Sequence, residues 1–228
     1  MEEKNRKTLE EIASLLTSVL DEDHEDFSEM SETELVEYIH RQIPSIGFLI
    51  NTDILSGLGT QNSLIRKMSG ACEQRRLSDK DDSSAKAVLF IDLNGLKAVN
   101  DIKGHAAGDD YIRTLALSIK QNIRDDISNA FRYGGDEFVI ILESCPIDAA
   151  IGIAERILFG FKMLWNNKYG ILSKHIGFSY GVASTDEEEC KGKSAEDILS
   201  IADKRQYKMK EETKHNREEL IKIIKNSL

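Results

Sequence analysis

The stretch Ala130-Phe131-Arg132-Tyr133-Gly134-Gly135-Asp136-Glu137-Phe138-Val139-Ile140-Ile141-Leu142 decides how this chain is read. Two strand-like runs flank a pair of glycines, which predicts a hairpin with glycines at its turn. At such a turn the backbone of Gly134 and Gly135 can approach a bound phosphate with no side chain in the way. Asp136 and Glu137 follow at once, on the shoulder of the turn. Upstream, residues 86–91 form a short continuous apolar run, as expected of a strand buried on both faces. Asp92 closes that run, at the strand end where α/β sheets commonly place ligands. If strand and hairpin are neighbours, Asp92, Asp136 and Glu137 converge. Three carboxylates in one pocket repel unless a cation joins them, and oxygen ligands suit Mg2+ (or Mn2+).

Outward from this centre, strands and helices alternate. Helical spacing predicts helices at about 63–76, 110–124, 149–164 and 195–210, and a helical tail through Leu220, Ile223 and Ile224. A further strand is expected at about 174–183, and a loop at 77–85. With the internal hairpin, this order indicates an α/β sandwich. Residues 1–50 differ in texture and are expected to form a separate helical segment, serving dimerisation or regulation, ahead of a main domain at 51–228. Leu9, Ile12, Ala13, Leu15, Leu16, Val19 and Leu20 make one apolar stripe, which the acidic residues 21–26 interrupt. Ser31-Glu32-Thr33-Glu34 has capping-box form and opens a second helix, which Pro44 is expected to end or kink.

Bulk properties narrow the function classes. A composition of 40% hydrophobic and 31% charged residues describes a soluble globular protein. No apolar run approaches the length of a membrane span, and the first residues are too polar for a signal peptide, so no membrane insertion is expected. The three cysteines have no metal-ligand spacing and read as reduced thiols, which points to the cytoplasm. A net charge of −10 argues against a nucleic acid polymer as partner, because that binding needs many neutralised phosphates. A small phosphorylated ligand held by lysines and a metal fits the composition.

The signature Gly134-Gly135-Asp136-Glu137-Phe138 resembles that of the GGDEF family of diguanylate cyclases, and five further segments resemble the family in order. These are Asp53-Ile54-Leu55-Ser56-Gly57-Leu58, then Asp92 to Asp101, then Gly104-His105 with Gly108-Asp109. Ser179-Tyr180-Gly181-Val182-Ala183 and Ala202-Asp203-Lys204 with Tyr207 and Lys210 complete the set. The resemblance spans roughly residues 52–214.

It implies a palm-like, nucleotidyl cyclase-like fold with a central, mostly antiparallel sheet flanked by helices. It implies condensation of two GTP into cyclic di-GMP by two-metal phosphoryl transfer. Asp92, Asp136 and Glu137 would be catalytic and, with the Leu93 carbonyl, would bind the metals. Lys210 and Lys214 would hold the terminal phosphates, and Lys97, Gly134 and Gly135 would also contact substrate; at Lys214 the family often has arginine. Asn100 and Asp109 would read guanine, whose N1–H and 2-amino group offer two donors to a carboxylate. Adenine would leave those groups unpaired, a mismatch worth up to about 10⁴-fold. Because each domain binds one GTP and the product is two-fold symmetric, catalysis implies an isologous homodimer.

The chain departs from the family pattern in three places. Asp125 and Ser128 stand where many members carry an Arg-x-x-Asp product-inhibition site, so no feedback through it is expected. Gly59-Thr60-Gln61 replaces a usual Asn-Arg, and Asn94 replaces a frequent Asp. Two alternatives are a catalytically silent domain that senses GTP or cyclic di-GMP, and a hybrid cyclic dinucleotide synthase; intact Asp92, Asp136, Glu137 and Lys210 speak against the first, and Asp109 against the second.

Overall fold

The structure, a computed structural model, describes residues 2–20, 26–77, 85–123, 129–170 and 176–213. The proposed tail helix, Lys214, Asp125 and Ser128 lie outside the described residues, as do 78–84 of the expected loop.

The chain forms two compact units that divide between Asn51 and Thr52. In the first, α1 (Glu2–Leu20) and α2 (Glu32–Asn51) bury Ala13, Phe27, Leu35 and Tyr38. Asp26 caps a single 3-10 turn at Phe27–Glu29 by accepting from the Ser28 amide. The capping box is formed: the Ser31 amide donates to Glu34 at 2.7 Å, and the Glu34 amide donates to the Ser31 hydroxyl at 3.3 Å. Pro44 does not end α2, which continues to Asn51. Proline removes its own amide donor and its ring crowds the carbonyl four residues back, yet the apolar residues Ile46, Leu49 and Ile50 carry the helical spacing past it.

The second unit is built on a five-stranded sheet in the order β1-β3-β4-β2-β5. Its strands are β1 (Gly59–Thr60), β2 (Ala87–Asn94), β3 (Ala130–Arg132), β4 (Glu137–Leu142) and β5 (Gly177–Ser184). Every pairing is antiparallel except β1 with β3. Among the described residues, five α-helices flank the sheet: α3 (Gln61–Leu77), α4 (Leu96–Lys103), α5 (His105–Asn122), α6 (Ile147–Tyr169) and α7 (Ala195–Thr213).

The two-residue period of β2 sets the layers. Leu89, Ile91 and Leu93 face the core made with α5 and α6, around Tyr111, Phe161 and Trp165. Burying a side chain such as Phe161 contributes about 1.5–3 kcal/mol. Phe90 faces the opposite layer, with Leu64 and Met68 of α3 and Ile198 and Ala202 of α7. Asp92 is in phase with Phe90, so it must point toward α7. In β4 the same period sends Glu137 and Val139 to that face and Phe138 and Ile140 to the other.

Candidate active site

Asp92 and Glu137 are directly opposite each other in the β2–β4 register, on the face that α7 covers. The Leu93 amide donates to the Asp136 carbonyl at 2.9 Å, so the end of β2 is tied to the turn itself. The backbone positions of the three acids therefore lie together at one sheet end. Asp136 and Glu137 are half-buried, whereas Asp92 is only 5% exposed.

Lys210 reaches this cluster from α7, its Nζ 2.6 Å from Asp92 Oδ2. The other oxygen, Asp92 Oδ1, is buried with no hydrogen-bond partner. Burial pushes the Asp92 carboxyl up; the Lys210 hydrogen bond and charge pull it back only in part, and Asp136 and Asp203 push it further. Burial likewise raises Glu137, helped by Asp136, Asp92 and Asp203 and opposed by Lys210. The acid excess, the hard oxygen donors and the orphaned Asp92 oxygen suit a divalent cation such as Mg2+. Among the described residues no three such side chains already stand at metal-ligand spacing. Among the described residues, the ammonium of Lys210 is paired with Asp92 at this sheet end.

Two contacts steady the turn. Arg132 donates to both Asp53 oxygens at 3.1 and 3.2 Å and to the Gly135 carbonyl at 2.8 Å. A β-carbon on Gly134 would press on the Glu137 carboxylate at 2.7 Å, whereas one on Gly135 would meet nothing. A depression of about 260 Å³ opens here, lined by Asp53, Thr60, Arg132, Tyr133, Gly134 and Gly135. A larger cavity of about 650 Å³ touches Asn122, Ile123, Leu142 and Arg156 and includes none of the acids.

The base-reading candidates sit on α4 and α5. The Asn100 amide lies so close over Gly108 that any β-carbon there would collide with it, and Asp109 is the next residue along α5. Asp110 is gripped by Tyr169 at 2.6 Å and Lys168 at 2.7 Å, and the Tyr111 hydroxyl donates to the Asn94 carbonyl at 3.1 Å. The Asp110 bonds hold the first turns of α5 against the end of α6, and the Tyr111 bond ties them to the end of β2. Lys97 is exposed on α4, one turn from Asn100. Asn94 accepts from the Ser179 hydroxyl at 3.2 Å, a bond that an aspartate could equally accept. Gly59 and Thr60, at the departed Asn-Arg positions, make β1, and the Ser63 amide donates to the Thr60 hydroxyl at 3.3 Å at the start of α3.

The sequence reading gave Lys210 to phosphates and Asp92 to metal, and so missed their mutual contact. It also gave no role to Arg132 or Asp203. The seven-residue interval from Asp203 to Lys210 puts both on one helix face, a signal that was available.

A buried strand-end acid, an acid-flanked glycine hairpin and a lysine from a covering helix lie together at one end of the sheet. The family model "Diguanylate cyclase, GGDEF domain" matches residues 50–216, and the chain belongs to the GGDEF family. It is 32% identical to Diguanylate cyclase A of Treponema denticola over 154 residues, covering 66% of this chain and 38% of that protein. It is 29% identical to Cyclic di-GMP phosphodiesterase PdeR of Escherichia coli over 188 residues, covering 82% of this chain and 26% of that protein. The chain thus spans well under half the length of these two relatives. The crystal structure of the coiled coil and GGDEF domain of DgcB from Caulobacter crescentus, in complex with c-di-GMP, shares the fold. Its TM-score is 0.63 at 21% identity, covering 79% of this chain and 91% of that one. Among the described residues, no helix is long and apolar enough to cross a membrane.

Proposed function

We propose that this domain is an active diguanylate cyclase that condenses two GTP into cyclic di-GMP and releases two pyrophosphates. In each half-reaction a ribose 3′-oxygen bonds to the α-phosphorus of the other GTP. The bond from that phosphorus to the bridging oxygen breaks, pyrophosphate leaves, and the 3′-hydroxyl proton is released. The observation that carries the reading is the register that sets Asp92 opposite Glu137, next to Asp136, with Lys210 paired to Asp92. One relative is named a phosphodiesterase, so kinship alone does not decide the activity. Retention of all four of these residues supports a working cyclase over a silent sensor.

Asp92, Asp136, Glu137 and the Leu93 carbonyl would hold Mg2+ or Mn2+. Such ions, when bound, would supply charge that activates the 3′-hydroxyl and stabilises the leaving pyrophosphate. Lys210 and Lys214 would bind the terminal phosphates, with Lys97 and the Gly134-Gly135 backbone in support. Asp109 would accept from guanine N1–H and the 2-amino group, and the Asn100 amide would donate to O6 or N7. The two reacting nucleotides need two such sites face to face, so the working unit would be a two-fold homodimer.

A pyrophosphate-release assay with GTP and ATP, separately and in competition, tests the assignment. Release from GTP, none from ATP, and little inhibition by equimolar ATP are expected. Equal release from ATP would overturn the guanine assignment and favour a hybrid synthase.

A further inference from the structure

Asp92 is a nearly buried carboxylate with one oxygen on Lys210 and the other on nothing. A buried charge in that condition is poorly compensated, since an orphaned buried acceptor has given up water without gaining a partner. The surroundings worsen the balance: Asp136 and Glu137 share the sheet end, and Asp203 acts on both Asp92 and Glu137. Among the described residues, the site thus gathers several acids, with the Lys210 ammonium seated at the most buried of them.

We infer that Lys210 serves as an internal cation at Asp92, so that the site takes its divalent ion together with a nucleoside triphosphate rather than alone. The inference rests on the nucleotide site proposed above. A free ion arriving at Asp92 has to displace the ammonium, and it leaves that ammonium beside a second cation with like charge. A triphosphate removes the obstacle by giving Lys210 a new anionic partner. The lysine side chain can make that exchange: its four-carbon stem is flexible, it sits near the end of α7, and it is 36% exposed. Its departure frees Asp92 Oδ2, beside Oδ1, which already lacks a hydrogen-bond partner. Linkage then requires reciprocity, with metal and triphosphate each raising the other's affinity by one shared factor. A static ion pair, in which Lys210 never leaves Asp92, predicts no such exchange.

The test titrates Mn2+ alone into wild type and Lys210→Met, reading free Mn2+ by electron paramagnetic resonance. It then repeats the titration with a GTP analogue carrying a methylene between the α and β phosphorus atoms. Lys210→Met should bind Mn2+ alone about tenfold or more tightly than wild type, the factor that 1.4 kcal/mol carries. It should also gain more in Tm from Mn2+. The analogue should tighten Mn2+ about tenfold in wild type and much less in Lys210→Met. Equal Mn2+ affinity in the two proteins without nucleotide would overturn the inference. Lys210→Gln repeats the comparison with the amide in place of the charge. The analogue effect in wild type needs no variant at all, and its absence would also overturn the inference. Adding Asp92→Asn to Lys210→Met should abolish the gained Mn2+ site; a site that survives would place the ion elsewhere and sink the idea. Product formation is read separately. Wild type that makes cyclic di-GMP with no difference in Mn2+ affinity refutes this inference alone, whereas the Mn2+ difference without product refutes the cyclase reading alone.

Discussion

Gly181 of β5 lies directly beneath the Ala202 carbonyl and the Gln206 amide of α7, so strand and helix meet backbone to backbone. No β-carbon fits between them. Arg205 secures the same contact by donating to the Val182 carbonyl at 2.7 Å and pairing with Glu187 at 2.8 Å. The close approach brings Lys210 within reach of Asp92. Gly181→Ala should therefore cost about 1–3 kcal/mol through overpacking, lower Tm by several degrees, and reduce turnover tenfold or more. Gly135→Ala, where a β-carbon meets nothing, should leave Tm within about a degree; equal Tm losses for the two variants would contradict this account.

Arg132 clamps the turn by bridging the Asp53 carboxylate and the Gly135 carbonyl. Arg132→Lys keeps the charge and loses the planar fork, so turnover should fall about tenfold or more while the fold survives. The clamp also has a pH signature. Burial pushes the Asp53 carboxyl up, but hydrogen bonds from Ser56 and Arg132 outweigh it and hold it below the usual carboxylate range. A lowered folded value means the contribution is complete above the unfolded value and is lost as pH falls through the folded one. The Tm gap between wild type and Asp53→Asn should be widest near neutrality and close below about pH 4. A gap constant from pH 7 to pH 3 would contradict it.

Glu137 behaves in the opposite sense. Its folded value is raised, mainly by burial, so the folded state holds the proton more tightly than the unfolded chain does. Stability should then decline as pH rises from the ordinary carboxylate range through the raised value. At neutral pH and without metal, Glu137→Gln should raise Tm by a few degrees while turnover drops about 10²-fold or more. A lowered Tm would refute the claim that the acid cluster is destabilising without a cation.

Gly108 leaves room for the Asn100 amide, and Gly108→Ala should force that amide aside. KM for GTP should rise about tenfold with a smaller change in kcat, and preference over ATP should shrink. Steady-state kinetics with both nucleotides decides this, and unchanged values would remove Asn100 from the base site.

The sheet was largely legible because β2 reads as one apolar run and the hairpin carries its glycines. Period two then fixes Asp92 and Glu137 on one face. Two short elements left weaker traces: β1 has two residues, and α4 has eight, tied to its neighbours by the Asn100–Gly108 approach. Pro44 does not end α2, because a proline reports a missing donor and not the helical spacing that continues beyond it. The Lys210–Asp92 pair spans 118 positions and depends on the Gly181 contact, which no local pattern announces.

The central claim is tested most directly by incubating the purified protein with GTP and Mg2+ and identifying the product by mass spectrometry, with Asp136→Ala in parallel. The account predicts cyclic di-GMP and pyrophosphate from wild type and neither from the variant. A folded wild-type dimer that leaves GTP intact, or equal product from Asp136→Ala, would contradict it.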